Sequence, residues 1–99
     1  MLYAIIATDK KNSLKDRLAT RPRHLEYLKP LVDAGRVVLA GPHPAIDSPE
    51  PGPAGFSGSL IIAEFESLES ARMWANNDPY WQEGVFEEVI VRPFLQVAP

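Results

Sequence analysis

Cysteine is absent from the 99-residue chain, and histidine occurs only at positions 24 and 43. The absence of cysteine excludes disulfides, thiolate metal sites, iron–sulfur clusters and a cysteine nucleophile. Two histidines are too few for a histidine-rich metal site. The sequence also lacks the P-loop and the dinucleotide-binding glycine motif. We therefore expect neither a metal nor a cofactor.

Basic residues are also scarce, since 10 lysines and arginines face 13 acidic residues and give a net charge of −3. Proteins that bind nucleic acid or an anionic membrane surface need basic patches, so we expect neither partner. No apolar run approaches the roughly 18 residues that would cross a membrane. The first apolar run has no basic residue before it, unlike a signal peptide. The composition predicts one cytoplasmic domain over residues 1–99.

The hydrophobic pattern predicts four strands and two main helices in the order β-α-β-β-α-β. The first helix is expected over residues 21–34, with Leu25, Leu28 and Val32 on its buried side and Gly35 as its stop. A separate short turn is expected before it, opened by a capping box from Ser13 to Asp16. The second helix is expected between a Ser67 cap and Asn77. The strands are expected at residues 2–7, 36–40, 57–65 and 86–94, and a short helical turn at 79–84.

Five of the ten prolines fall between Gly41 and Gly55. We interpret this segment as a loop, and long loops in small domains often form functional rims.

This order of elements is typical of the ferredoxin-like α+β fold, with a four-stranded antiparallel sheet. Two helices cover only one face of such a sheet. The strands at 2–7, 37–40 and 60–63 are nevertheless apolar at consecutive positions, which is typical of strands buried on both faces. We therefore predict a homodimer in which two sheets pack face to face, as in an α/β-barrel dimer.

Two residues are candidates for acid–base chemistry. His24 lies early on the first predicted helix, and histidine is well suited to proton transfer near neutral pH. Its alternative role is that of a boundary histidine bonded to the backbone. Asp78 could orient an imidazole, or it could simply cap the turn that Pro79 begins. The pattern alone favours the structural role for both residues.

A small-molecule pocket could be lined by residues at the strand ends. Glycine there permits close approach of the backbone to a ligand, and serine adds a hydroxyl. Turn geometry is the alternative explanation for the glycines, and core packing for the tyrosine. The candidates are Gly41, Pro42, Gly58, Ser59 and Tyr80.

The order and spacing of several short motifs along nearly the whole chain resemble the YCII-related (YciI-like) family. These motifs include Arg21-Pro-x-His24-Leu, Ala40-Gly-Pro42, Gly55-Phe-x-Gly-Ser59 and Asp78-Pro-Tyr80. The resemblance implies a ferredoxin-like dimer and a His–Asp site in a cleft near the dimer interface. His24 and Asp78 match these two positions, so the resemblance favours the functional role for both. It also implies chemistry that in some relatives is dehydrochlorination of aromatic-derived rings.

The favoured hypothesis is a cofactor-independent lyase or isomerase that abstracts a proton from a small molecule. His24 would move the proton and Asp78 would fix its tautomer. The first alternative is a non-catalytic dimer that binds or senses a small ligand in the same cleft. A second is an accessory subunit that uses the 41–55 loop. The sequence does not name the ligand.

Overall fold

The computed structural model describes residues 1–99 and has the predicted ferredoxin-like α+β fold. A single-turn 3-10 helix lies at Gly52–Ala54. No helix is both long and apolar enough to cross a membrane. The strands and helices, in chain order, are β1 (Leu2–Asp9), α1 (Leu14–Asp33), β2 (Val37–Pro44), β3 (Phe56–Glu64), α2 (Leu68–Asn76), α3 (Pro79–Gln82) and β4 (Phe86–Phe94).

The four strands form one antiparallel sheet in the order β2-β3-β1-β4. Alternate residues of the central strands, such as Ile5 and Ile61, point toward the helices because side chains alternate along a strand. They form the main core with apolar residues of α1 and α2. Its nine buried members are Tyr3, Ile5, Leu28, Leu31, Ile61, Ala63, Phe65, Ala71 and Ala75.

The opposite face of the sheet is also apolar at its centre, as the consecutive apolar residues predicted. Ile6 pairs with Leu60 on one side and with Ile90 on the other, so the three side chains form a row across β3, β1 and β4. Ala4 and Ile62 form the next pair along the strands. We call these five residues the open face, because both long helices pack on the other side of the sheet.

The first helical region differs from the prediction, because α1 is one continuous helix of 20 residues instead of a short turn and a second helix. Pro22 and Pro30 both lie inside it. Each proline removes one backbone hydrogen bond. Both occupy exposed positions, where water can bind the carbonyl oxygens that lose their partners. The predicted capping box is wrong as well, since the side chain of Ser13 makes no capping hydrogen bond.

The buried stripe of α1 is rotated relative to the prediction. Leu25 and Val32 are about half exposed, at 49% and 52%, so only Leu28 of the predicted stripe is buried. Polar side chains occupy much of the buried stripe. A pattern of apolar residues alone therefore assigns the wrong side of the helix to the core. The buried residues of the helix are Arg17, Thr20, His24, Leu28 and Leu31.

Strand β2 extends four residues beyond its predicted end and runs into the proline-rich segment as far as Pro44. It lies at the edge of the sheet and pairs only with β3. Prolines are tolerated on an edge strand because their missing N–H need not face a partner. The connecting loop is therefore shorter than the predicted 41–55 loop, and a bond from the Ala45 N–H to the Gly55 carbonyl closes it at 2.9 Å.

Two predicted helix boundaries are confirmed in atomic detail. Gly35 has a φ of +70°. The N–H groups of Gly35 and Arg36 bond to the carbonyls of Val32 and Leu31, which is the Schellman arrangement. Ser67 caps α2, and its hydroxyl accepts the N–H of Ser70 at 3.0 Å.

Tyr27 joins the two long helices, because its hydroxyl donates to the carbonyl of Trp74 at 2.7 Å and the two rings stack. Burial, and secondarily the negative charge of Asp78, raise the pKa of Tyr27 from its ordinary value of 10.0 to about 12.

Candidate active site

A pocket of about 260 Å³ lies on the helix side of the sheet, between α1 and strands β2 and β3. An apolar cavity of about 150 Å³ holds a benzene molecule, so this pocket has room for one substituted six-membered ring. Its lining combines apolar walls with a few polar groups, as ligand sites usually do. The lining residues are Arg17, Leu18, Arg21, His24, Leu25, Leu28, Ala40, Gly41, Pro42, Phe56, Ser59, Ile61 and Tyr80.

His24 connects this pocket to a buried carboxylate. Its Nδ1 lies 2.9 Å from Oδ1 and 3.0 Å from Oδ2 of Asp78, and both side chains are buried. The expected proximity of the two residues is therefore confirmed. A carboxylate only accepts hydrogen bonds, so Nδ1 is the donor. Nε2 is then the ring nitrogen that remains available to a ligand.

Asp78 also caps α3, as the alternative interpretation of the sequence proposed. Its Oδ1 accepts the backbone N–H of Tyr80 at 2.9 Å. The residue is 2% exposed and does not line the pocket itself. Capping and contact with His24 are therefore not exclusive, because one carboxylate makes both sets of bonds.

A second buried ion pair lies beside the His–Asp pair. Arg17 bonds to Asp9 through two nitrogens, with Nε at 2.7 Å from Oδ2 and Nη2 at 2.8 Å from Oδ1. The same Nη2 donates to the hydroxyl of Ser59 at 2.8 Å. Because the Ser59 oxygen accepts this bond, its own hydrogen is available to a ligand.

Tyr80 packs against both polar pairs. Its ring stacks on His24 with centroids 4.2 Å apart, and the guanidinium carbon of Arg17 lies 4.6 Å from the same ring centroid. Burial raises the pKa of the Tyr80 hydroxyl, while the charges of Arg17 and Arg21 lower it. The neutral phenol is thus a further polar group at the pocket wall.

The structure brings most of the predicted pocket residues together. Gly41, Pro42, Ser59 and Tyr80 line the same pocket as His24. Gly58 does not line it. A Cβ atom at position 58 would lie 1.9 Å from the carbonyl oxygen of Ala7. The absence of a side chain at Gly58 therefore allows β3 to pack closely against β1.

Sequence reasoning missed Asp9, Arg17 and Arg21. Arg17, Arg21 and His24 are spaced i, i+4 and i+7, so a continuous helix places them on one face. This spacing was a signal in the sequence. A helix that is predicted to begin at residue 21 leaves Arg17 outside it and conceals this spacing. The pairing of Arg17 with Asp9 joins two different elements, and no local pattern indicates it.

The pocket therefore combines an oriented imidazole with hydrogen-bond donors. No carboxylate lines it, since Asp9 and Asp78 both lie behind the residues they bind. Such a site can accept a proton at Nε2 of His24 and stabilise negative charge on a ligand oxygen. These are the requirements of proton abstraction from an activated ring.

Comparison with known proteins gives concordant matches. A family model described as the YCII-related domain matches residues 1–95. Protein YciI of Escherichia coli O6:H1 (strain CFT073) is 58% identical over 97 residues, which cover 98% of this chain and 99% of that protein. An Emericella nidulans protein named derivative of benzaldehyde biosynthesis cluster protein C is 39% identical over 72 residues, 72% of this chain and 74% of that protein.

Among solved structures, 5-chloro-2-hydroxyhydroquinone dehydrochlorinase from Burkholderia phenoliruptrix AC1100, in complex with 2,5-dihydroxybenzoquinone, has the same fold. It matches with a TM-score of 0.84 at 29% identity, over 96% of this chain and 94% of that chain. Family model, sequence relative and solved structure each span nearly the whole chain. The chain is a member of the YCII-related domain family.

Proposed function

We propose that the protein is a cofactor-independent lyase or isomerase that abstracts a proton from a small ring compound. The observation that carries the proposal is the position of His24 between the pocket and Asp78, with Nδ1 bonded to the buried carboxylate. This arrangement fixes the tautomer that leaves Nε2 as a base. The similarity to a dehydrochlorinase supports ring elimination as the form of the reaction.

Each polar group at the pocket has a role in this reaction. Nε2 of His24 takes a proton from a ring hydroxyl in the keto tautomer, in which the chlorine-bearing carbon is tetrahedral. The electrons of the broken O–H bond form a carbonyl group, and the adjacent ring double bond shifts toward the chlorine-bearing carbon. In a dehydrochlorination, chloride leaves with the electrons of the C–Cl bond, so the net loss is HCl and no oxidant is required. The hydroxyl of Ser59 and the guanidinium of Arg17 stabilise the charge that develops on a ring oxygen.

A homodimer with the open faces packed together is part of the proposal. A second copy supplies an apolar surface of the same kind, and most oligomers of soluble proteins pair identical surfaces in this way. Strand β2 joins this face to the pocket. Ala40 and Pro42 line the pocket, while Leu39 pairs with Ile62 of the open face. The cleft then lies close to the dimer interface.

The second candidate function is a non-catalytic dimer that binds or senses a ring ligand in the same pocket. The observation in its favour is that Asp78 caps α3. This structural task alone accounts for an aspartate at that position.

The experiment that separates the two functions replaces His24 by Asn. The Asn amide nitrogen occupies roughly the place of Nδ1 and keeps a donor toward Asp78, whereas Nε2 is lost. Chloride release from 5-chloro-2-hydroxyhydroquinone should fall about 10²- to 10⁴-fold in His24→Asn, the usual contribution of a proton-transfer group. His43→Asn is the matched control, because His43 is exposed and lies outside the pocket.

Solvent deuterium exchange into the bound ring provides a second measurement. A wild-type protein that binds the ring but neither releases chloride nor exchanges its ring hydrogen would support the binding function. Full activity in His24→Asn would exclude His24 as the base.

A further inference from the structure

The basic residues around the pocket differ in whether an acidic residue is bonded to them. The cation of Arg17 is paired with Asp9, and His24 is bonded to Asp78. Arg21 also lines the pocket, yet its side chain forms no ion pair and no hydrogen bond with any other residue of the chain. The pocket thus contains one full positive charge that the protein does not neutralise, although the whole chain has a net charge of −3.

Arg21 is placed where it can reach a ligand held at His24. Residues 17, 21 and 24 follow the i, i+4, i+7 spacing, so Arg21 lies on the same face of α1, between the other two. Its charge acts on the hydroxyl of Tyr80, whose pKa it lowers. Leu18 and Leu25, both about half exposed, flank it on the pocket lining. A charged group at an apolar mouth is a common way to orient a small ligand.

We infer that Arg21 determines specificity for ring substrates that carry an ionised oxygen, such as an enolate, a phenolate or a carboxylate. The planar guanidinium presents paired N–H donors, which match the two oxygens of a carboxylate or of neighbouring ring oxygens. This inference rests on the proposed function for the identity of the pocket, and it adds the chemical class of the substrate.

Two probes that differ in charge test this inference. The hydroxyl groups of 2,5-dihydroxybenzoquinone are vinylogous acids and are ionised at neutral pH. The dimethyl ether of the same compound, 2,5-dimethoxybenzoquinone, keeps the ring and cannot ionise. Titration calorimetry at low salt gives Kd for each probe, and it requires no turnover.

Wild-type protein should bind the ionised probe more tightly than the ether. Arg21→Gln should weaken binding of the ionised probe about tenfold to hundredfold, as expected for a lost charge-assisted hydrogen bond. Its binding of the ether should change little. Arg21→Lys should recover part of the loss, because the charge returns without the planar pair of donors.

Arg23→Gln is the matched control. Arg23 lies on the same helix two residues away, is exposed and pairs with Glu83 at 3.1 Å outside the pocket. This variant removes the same charge and should bind both probes like the wild type. An equal loss of affinity for the ionised probe in the Arg21 and Arg23 variants would indicate that the overall charge of the protein controls binding. This result would overturn the inference. Equal weakening of both probes in Arg21→Gln, or no preference of the wild type for the ionised probe, would also overturn it.

These outcomes are independent of the catalytic proposal. Binding that depends on Arg21 without proton transfer would support the specificity role and contradict the lyase. Turnover that does not change when Arg21 is replaced would be compatible with the proposed lyase activity and would refute the specificity role.

Discussion

Asp78 illustrates how one side chain serves fold and site together. Its Oδ1 accepts both the Tyr80 N–H and the Nδ1–H of His24, while Oδ2 contacts only His24. The cap holds the carboxylate in one orientation, and the oriented carboxylate in turn fixes the imidazole. The residue that caps a short helix therefore also orients the imidazole of the candidate site.

Substitution of Asp78 should separate these two tasks. Asn is also a good helix cap, so Asp78→Asn should retain most of the folding stability. Asp78→Ala removes the cap and should be about 1 to 2 kcal/mol less stable than Asp78→Asn in urea unfolding. The Asn amide nitrogen can face Nδ1, which would move the imidazole proton to Nε2. Nitrogen NMR of the imidazole should detect this change of tautomer, and activity should fall in both variants.

Equal losses of stability in the two variants would contradict the capping role. An unchanged His24 tautomer in Asp78→Asn would contradict the orienting role. Urea unfolding therefore tests the capping role and NMR tests the orienting role, so either role can be refuted without the other.

At the scale of elements, α1 carries most of the site, and it is also where sequence interpretation was weakest. The helix end at Gly35 and the Ser67 cap could be predicted because each depends on one residue and its nearest neighbours. The continuity of α1 could not be predicted in this way. Pro22 locally favours the start of a helix, whereas packing along the whole helix determines that α1 continues through it. Because the predicted helix begins after Arg17, the sequence interpretation does not place Arg17 and His24 on one helix face.

The candidate site shows the same division. His24 and Asp78 were identifiable because their residue types suit proton transfer and their flanking motifs resemble a family. The contacts of Arg17 join residues 8 and 42 positions apart in the chain. Such long-range pairs leave no periodic signal, so only the folded structure reveals them.

The contact between α1 and α2 has a consequence for alkaline stability. Tyr27 keeps its proton up to about pH 12 in the folded protein, against 10.0 in the unfolded chain. Between these values the unfolded state binds fewer protons, so the free energy of unfolding should decrease as the pH rises above 10. Tyr80 acts in the same direction. Urea unfolding at pH 8 and pH 11 measures the decrease.

Tyr27→Phe provides the comparison. It loses the bond to Trp74 and should be about 1 kcal/mol less stable at pH 8. Its further decrease toward pH 11 should be smaller than that of the wild type. A wild-type protein that becomes more stable between pH 8 and pH 11 would contradict the assignment.

At the scale of the whole molecule, the sheet has one face covered by helices and one without such cover. The row of Leu60, Ile6 and Ile90 occupies the centre of the open face. An apolar surface of this kind is stable in water when a second copy covers it.

A lysine at the centre of this row should prevent dimerisation. Ile6 is only partly buried in one chain, so Ile6→Lys can extend its amine into water and still fold. The wild type should sediment as a dimer at micromolar concentration, and Ile6→Lys as a folded monomer. Val32→Lys is the control on the helix side, where the residue is 52% exposed, and it should remain dimeric. A monomeric wild type, or dissociation in Val32→Lys alone, would refute the face-to-face dimer.

The stack around Tyr80 has a consequence for motion. Arg17 and His24 lie seven residues apart on one helix face, a rise of about 10.5 Å. Both pack against the ring of Tyr80, with the guanidinium carbon 4.6 Å and the imidazole centroid 4.2 Å from the ring centroid. A 180° rotation of the phenol about its Cβ–Cγ bond would have to push the two neighbours apart. The helix backbone resists this, so we expect slow ring flips and separate NMR signals for the two edges of Tyr80. The same packing should keep this part of the pocket wall in one conformation when a ligand binds.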